Sequence, residues 1–163
     1  MSFKTFLAPL IVLALAATAA AQTKISGTAQ CGKPNPSQGI ELGDRANHMF
    51  VLGQSKCAWT KPLEIAGTQM KESVLTGFDE IVGDKSQSQG FAVSTLANGD
   101  KTHARFVGSG TLKDGKPQTV KGQWRFVGGT GKVMGIKGQG TYKGTASESG
   151  VTYEVEGEYT LPK

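Results

Sequence analysis

From Val151 to Leu161 the chain alternates without a break. Val151, Tyr153, Val155, Gly157, Tyr159 and Leu161 are interleaved with Thr152, Glu154, Glu156, Glu158 and Thr160. Successive side chains of a strand point to opposite faces, so this period of two predicts a strand with one buried and one wetted face. The preceding segment repeats the pattern, with Ile136, Gly138, Gly140, Tyr142 and Gly144 set between Lys137, Gln139, Thr141 and Lys143. Paired as a hairpin, the lysine-bearing outer row meets the glutamate-bearing one, at roughly 0.2–1 kcal/mol per cross-strand pair. The inner face is then made largely of tyrosine and glycine. Glycine weakens a flat strand, but in a coiling sheet it permits the bend and leaves room for rings from neighbouring strands.

The glycine-rich stretch 124–144, WRFVGGTGKVMGIKGQGTYKG, invites a different reading as a phosphate-binding loop. A Walker loop ending at Gly131-Lys132 requires glycine at 126 and a hydroxyl at 133, where the chain has Phe126 and Val133. The dinucleotide fingerprint fails at Met134, and no amphipathic helix follows whose N-terminus could hold an anion. The segment is expected to be strand, turn and strand, with GGTGK as a tight connection.

The rest of the mature chain carries the same signature: abundant turn dipeptides, and no apolar residues at helical spacing over three turns. In FAVSTLANGDKTHARF, a two-residue Asn98-Gly99 loop sets Phe91 opposite Phe106, Val93 opposite Ala104 and Thr95 opposite Thr102. The same register puts Ser94 and Ala92 against His103 and Arg105. In LKDGKP, a two-residue Asp114-Gly115 loop misaligns the next strand, so a bulge or a longer loop is expected to bring Phe106 beside Trp124. Earlier strands are expected in TKISGTAQ, RANHMFVLGQ, CAWTKPLEIAG and SVLTGFDEIVG, with Pro62 marking an edge or a bend. GKPNPSQG (32–39) and DKSQSQG (84–90) read as polar connections. The fold class that follows is all-β, a single antiparallel eight-stranded barrel of meander topology.

Residues 1–21 have the form of a secretory leader, with Lys4, an apolar run from Phe6 to Ala17, and Ala19-Ala20-Ala21 before the cut. The mature domain is expected to span 22–163 and to be periplasmic or secreted, with no further membrane span. Cys31 and Cys57 then meet an oxidising compartment and are expected to form a disulfide. No zinc-ligand spacing surrounds them, and no metal or cofactor is expected. The formal charge of +5 falls by one when Lys4 leaves. Its basic residues are interleaved with acidic ones, which argues against nucleic acid as a partner.

GGTGKVMGIKGQGTY, following the aromatic strand WRFV and preceding EGEY, resembles the β-barrel superfamily of allene oxide cyclases and plant dirigent proteins, and in particular its bacterial secreted branch. The resemblance is clearest over 122–144. It implies an eight-stranded antiparallel barrel with an apolar interior, in a family that often forms homo-oligomers. The catalytic carboxylates and tyrosines of characterised members do not map by motif onto this chain, so no catalytic residue is assigned.

Trp59, Phe91, Phe106, Trp124, Phe126 and Tyr142 are the expected interior lining, as core or as ligand-binding wall. His103 is expected on the surface, sharing a face with Arg105; Arg105 and Arg125 are expected to point outward. His48 stands at a strand start or at a barrel mouth. Asp79, Glu80 and Asp84 read as a solvated turn, since their spacing is not that of a calcium loop. Two functions remain: a barrel binding a small apolar or amphipathic ligand or a protein partner, or a cofactor-free cyclase or isomerase. An ionisable group buried among the aromatics would discriminate in favour of chemistry.

Overall fold

The computed structural model describes residues 22–162, so the expected leader lies outside the described residues. The elements in chain order are β1 (Thr23–Gly32), β2 (Ser37–Glu41), β3 (His48–Lys61), β4 (Glu64–Ile65), β5 (Thr68–Val82), β6 (Lys85–Leu96), β7 (Lys101–Lys113), β8 (Lys116–Gly129), a 3₁₀ turn (Gly131–Val133), β9 (Lys137–Ser147) and β10 (Gly150–Thr160). Neighbours run β3-β1-β10-β9-β8-β7-β6-β5, and the pairing of β5 with β3 closes the ring. This is the expected eight-stranded antiparallel barrel, with β2 and β4 as short additions. Among the described residues no helix is long and apolar enough to cross a membrane.

One row of register partners shows why this sequence closes. Gly53, Gly77, Gly90, Phe106, Trp124, Gly140, Gly157 and Ile25 succeed one another around the barrel. The two adjacent rings turn opposite ways, each into room left by glycine. A Cβ on Gly90 would lie 2.6 Å from the Phe106 ring, and one on Gly140 would lie 2.6 Å from the Trp124 indole. The missing side chains are thus replaced by rings from neighbouring strands, which keeps the interior dense despite the glycines.

One end of the barrel is plugged. Leu63, Ile65, Met70, Leu96, Val133 and Ile136 are buried there with Trp124 and Tyr159, and the Tyr159 hydroxyl accepts the Ala66 N–H at 3.0 Å. The GGTGK connection supplies part of the plug through Val133 and Ile136. Its glycine-rich main chain does meet an anion, but an internal one: the Lys132 N–H donates to the Asp100 carboxylate at 3.0 Å. The Lys101 N–H donates to Thr130 Oγ1 at 2.8 Å, locking this connection to the Asn98-Gly99 turn.

Four expectations about strands require correction. In GKPNPSQG, Gly32 ends β1 and Ser37, Gln38 and Gly39 begin β2, so only 33–36 connect. The β6–β7 hairpin has a three-residue loop, Ala97-Asn98-Gly99. Leu96 N–H donates to Asp100 O at 2.8 Å, Gly99 N–H donates to Leu96 O at 2.9 Å, and Gly99 takes φ +89°. That is a type I turn ending in a left-handed residue, and it moves the register by one. Phe91 faces Arg105, Val93 faces His103 and Ala92 faces Ala104. Residues 85–90 are strand, not connection; only Gly83-Asp84 turns the chain, and Ser86 and Ser88 alternate with Gln87 and Gln89 in β6. RANHMFVLGQ and CAWTKPLEIAG merge into the single long β3, which stops before Pro62.

At the β7–β8 turn both signals are honoured. Asp114 and Gly115, at φ +52° and +70°, form the two-residue loop, and a shift between Thr111 and Leu112 then sets Phe106 opposite Trp124. The disulfide joins Cys31 to Cys57, which are direct register partners of β1 and β3.

Candidate functional site

The other end of the barrel is open. Inward residues there, among them Met49, Val51, Ile81, Ser86, Ser88, Val120 and Tyr153, are half-buried, unlike those of the plug. Above the glycine–aromatic row runs a second row of register partners: Val51, Asp79, Ser88, Gly108, Gly122, Tyr142, Val155 and Gly27. Tyr142 lies over the two glycines beside it, since a Cβ on Gly122 would come within 2.5 Å of its hydroxyl oxygen. Its phenol therefore extends along the row toward Ser88 and Asp79. One row further out, Tyr153 lies against Gly144 in the same way.

These residues form a small polar chamber on an aromatic base. The Tyr142 ring meets Phe106 edge-on with centroids 6.3 Å apart, and meets Tyr153 at 5.8 Å. The Ser88 hydroxyl donates to the Asp79 carboxylate in a short hydrogen bond. Burial raises the Asp79 pKa above the ordinary aspartate value, with the Ser88 bond opposing the shift. Burial also pushes the Tyr153 phenol up to about 12, helped by the negative charge of Asp79. Tyr142 is raised further by burial, with smaller contributions from Tyr153 and Asp79. At neutral pH both phenols are thus intact O–H groups beside a carboxyl whose pKa burial raises above the ordinary aspartate value.

Asp79 corrects the reading of residues 79–84 as a solvated turn. It lies inside β5, and the turn begins only at Gly83. The missed signal was the period of two: Leu75, Gly77, Asp79 and Ile81 share one face, so the carboxylate inherits the inward direction of its apolar neighbours. Ser86, Ser88 and Tyr153 escaped notice because small polar residues and a terminal-strand tyrosine fit an outer face equally well.

Of the expected lining, Phe106 and Tyr142 border the chamber. Trp124 is buried deeper, 4.9 Å from Phe126 between ring centroids, and both pack in the core. Trp59 points inward and donates from Nε1 to Ser73 Oγ at 2.9 Å. Phe91 does not line the interior. The one-residue register shift turns it to the outer wall, 43 % exposed, with the Arg105 guanidinium 4.7 Å above its ring.

His103 shares the outer face with Arg105 but faces Val93, not Ser94; the Ser94 hydroxyl is buried 2.6 Å from that of Ser73. His48 begins β3 on the outer wall near the open end. Its Nδ1 is 2.5 Å from Asp44 and its Nε2 is 3.0 Å from Glu80. Hydrogen bonding to His48 holds the Asp44 carboxyl below the usual carboxylate range. The imidazole therefore ties the β2–β3 loop to β5.

No protein-family model matches the chain, and no curated protein matches it. Among solved structures it is similar to a protein of unknown function from the DUF3224 family of Shewanella oneidensis MR-1. The TM-score is 0.53 at 12 % identity, covering 88 % of this chain and 99 % of that one. That likeness is one of barrel fold.

Proposed function

We propose that the protein is an exported binding barrel whose open end takes a small amphipathic molecule. The apolar body of the ligand lies against Phe106, Tyr142 and Tyr153, and a hydrogen-bond-donating head meets Asp79. Export rests on the leader pattern of residues 1–21, with which the Cys31–Cys57 disulfide is consistent. The observation that carries the binding reading is Asp79 itself. A carboxyl taken partly out of water with one protein hydrogen bond costs stability unless its free acceptor capacity is used.

A second reading, chemistry without a cofactor, is favoured by the same Asp79, an ionisable group partly buried in one row with Tyr142 and close to Tyr153. Cofactor-free cyclisation or isomerisation is what the resemblance to allene oxide cyclases and dirigent proteins implies, along with assembly into homo-oligomers.

Binding is tested by fluorescence titration with 2-naphthol and with 2-methoxynaphthalene, which lacks the donor. A hydrogen bond to a charged acceptor contributes about 1.5–3 kcal/mol, so 2-naphthol is expected to bind about 10-fold or more tightly than the ether. In Asp79→Ala the two probes are expected to bind alike. Equal affinity of both probes for the unaltered protein, or saturable binding of neither, contradicts the proposal.

A further inference from the structure

An open concavity of about 720 Å³ lies across the barrel wall over β5 to β9, lined mostly by outward-facing residues and bordered by Ser88 and Tyr142 of the chamber. Alternation explains its character. Gln87, Gln89, Gln123, Lys121 and Lys143 all point outward there, while the interleaved Gly108 and Gly122 contribute main chain only. Three amide side chains, two on β6 and one across β7 on β8, each able to donate and accept, match the alternating donors and acceptors of a polyhydroxylated ligand. Val107, 55 % exposed, and Phe78 supply apolar patches against which the C–H face of a sugar ring can rest.

The register adds charge of a particular kind. Lys121 lies directly opposite Lys143 in the groove, and four residues along β8, just beyond the groove lining, Arg105 lies directly opposite Arg125. Like charges in directly opposed positions destabilise a sheet. Among the described residues none of these four side chains has a carboxylate within salt-bridge distance; the ion pairs present involve only Arg45 and His48. Arg105 is instead held over the Phe91 ring. Lys121 and Arg125 are four residues apart on β8, roughly 13 Å at the usual rise of a strand. Glu80 of β5 lines the groove but is engaged by His48, while on β10 Glu154 lies opposite Lys143 and Glu156 accepts from Thr141 Oγ1 at 3.2 Å. They confine an anion to the strip between them.

We infer that this groove binds an acidic oligosaccharide, its hydroxyls read by the glutamines and its anionic groups by the Lys121–Lys143 and Arg105–Arg125 pairs. A nucleic acid fits less well, because single strands bind through exposed aromatic planes, whereas Phe91 is covered by Arg105 and Phe78 packs against Phe50 with ring centroids 4.8 Å apart.

The test is calorimetric titration at low salt with a tetrauronate, with neutral cellotetraose and with a short oligothymidylate. The tetrauronate is expected to bind at least 10-fold more tightly than cellotetraose, and Lys121→Gln/Lys143→Gln to weaken it by 10-fold or more. In that double substitution the relief of the Lys121–Lys143 repulsion offsets the loss of the Lys143–Glu154 cross-strand pair, so its melting temperature is expected to stay close to that of the parent, which separates lost binding from lost fold. Equal affinity for the charged and neutral tetrasaccharides overturns the inference, as does tetrauronate binding that the double variant leaves unchanged. Tighter binding of the oligothymidylate than of the tetrauronate overturns the assignment to a glycan.

Discussion

Asp79 holds its proton to a higher pH in the folded barrel than in the unfolded chain, because burial disfavours the anion. From the ordinary value of 3.8 up to the raised one, the native state binds more protons than the unfolded state, so stability falls as pH rises through that window. Asp79→Asn removes this slope. In a urea-denaturation series begun at pH 3.8, the variant is expected to gain on the parent with rising pH and then hold a constant advantage. A parallel pair of curves contradicts the assignment. Asp44 has the opposite sign: its folded pKa is lowered, so its contribution is present above 3.8 and is lost as pH falls. The site was only half legible in the sequence. Phe106 and Tyr142 stand out by size and pattern, but a carboxylate in a strand betrays an inward direction only through its neighbours two residues away. Acid pairs such as Asp79-Glu80 more often mark water-facing turns.

The same rule of alternation governs the strands, with glycine as its counterpart to the ring. At Gly140 an added Cβ meets the main chain of β10 and the Trp124 indole, whereas at Gly32 the nearest atom, Lys56 O, is 3.9 Å away. Gly140→Ala is therefore expected to lose about 1–3 kcal/mol in denaturant unfolding, the usual cost of overfilling a packed interior. Gly32→Ala is expected to lose none. Equal behaviour of the two would show that the rings do not depend on the glycines beneath them. The strand β10, with its even alternation, was legible to within a residue at each end, and β9 to within one residue at its start and three at its end. The β6–β7 register was not, because Asn-Gly serves both the two-residue loop and the three-residue loop in which only glycine is left-handed. Residues 85–90 were missed for another reason: serine and glutamine have weak strand propensity, and only pairing on both sides holds them extended.

At the scale of the whole molecule, closure depends on one short seam. β1 meets β3 only from Thr28 to Cys31, whereas β3 and β5 pair along nearly their full lengths. The Cys31–Cys57 bridge staples that seam at its end, and a bridge spanning 26 residues contributes about 3–4 kcal/mol where it restricts the unfolded chain. A free-standing sheet would expose both margins, and the open-ended chamber around Asp79 would have no wall on the β1 side. Native-state hydrogen exchange, followed amide by amide with the disulfide intact and then reduced, tests closure most directly. With the bridge intact, the paired amides of β1, β3 and β5 are expected to be protected as strongly as those of β7 and β8, and reduction is expected to release β1 first. If β1 and the facing edge of β3 exchange like surface turns while the disulfide is intact, the barrel is open and the account fails.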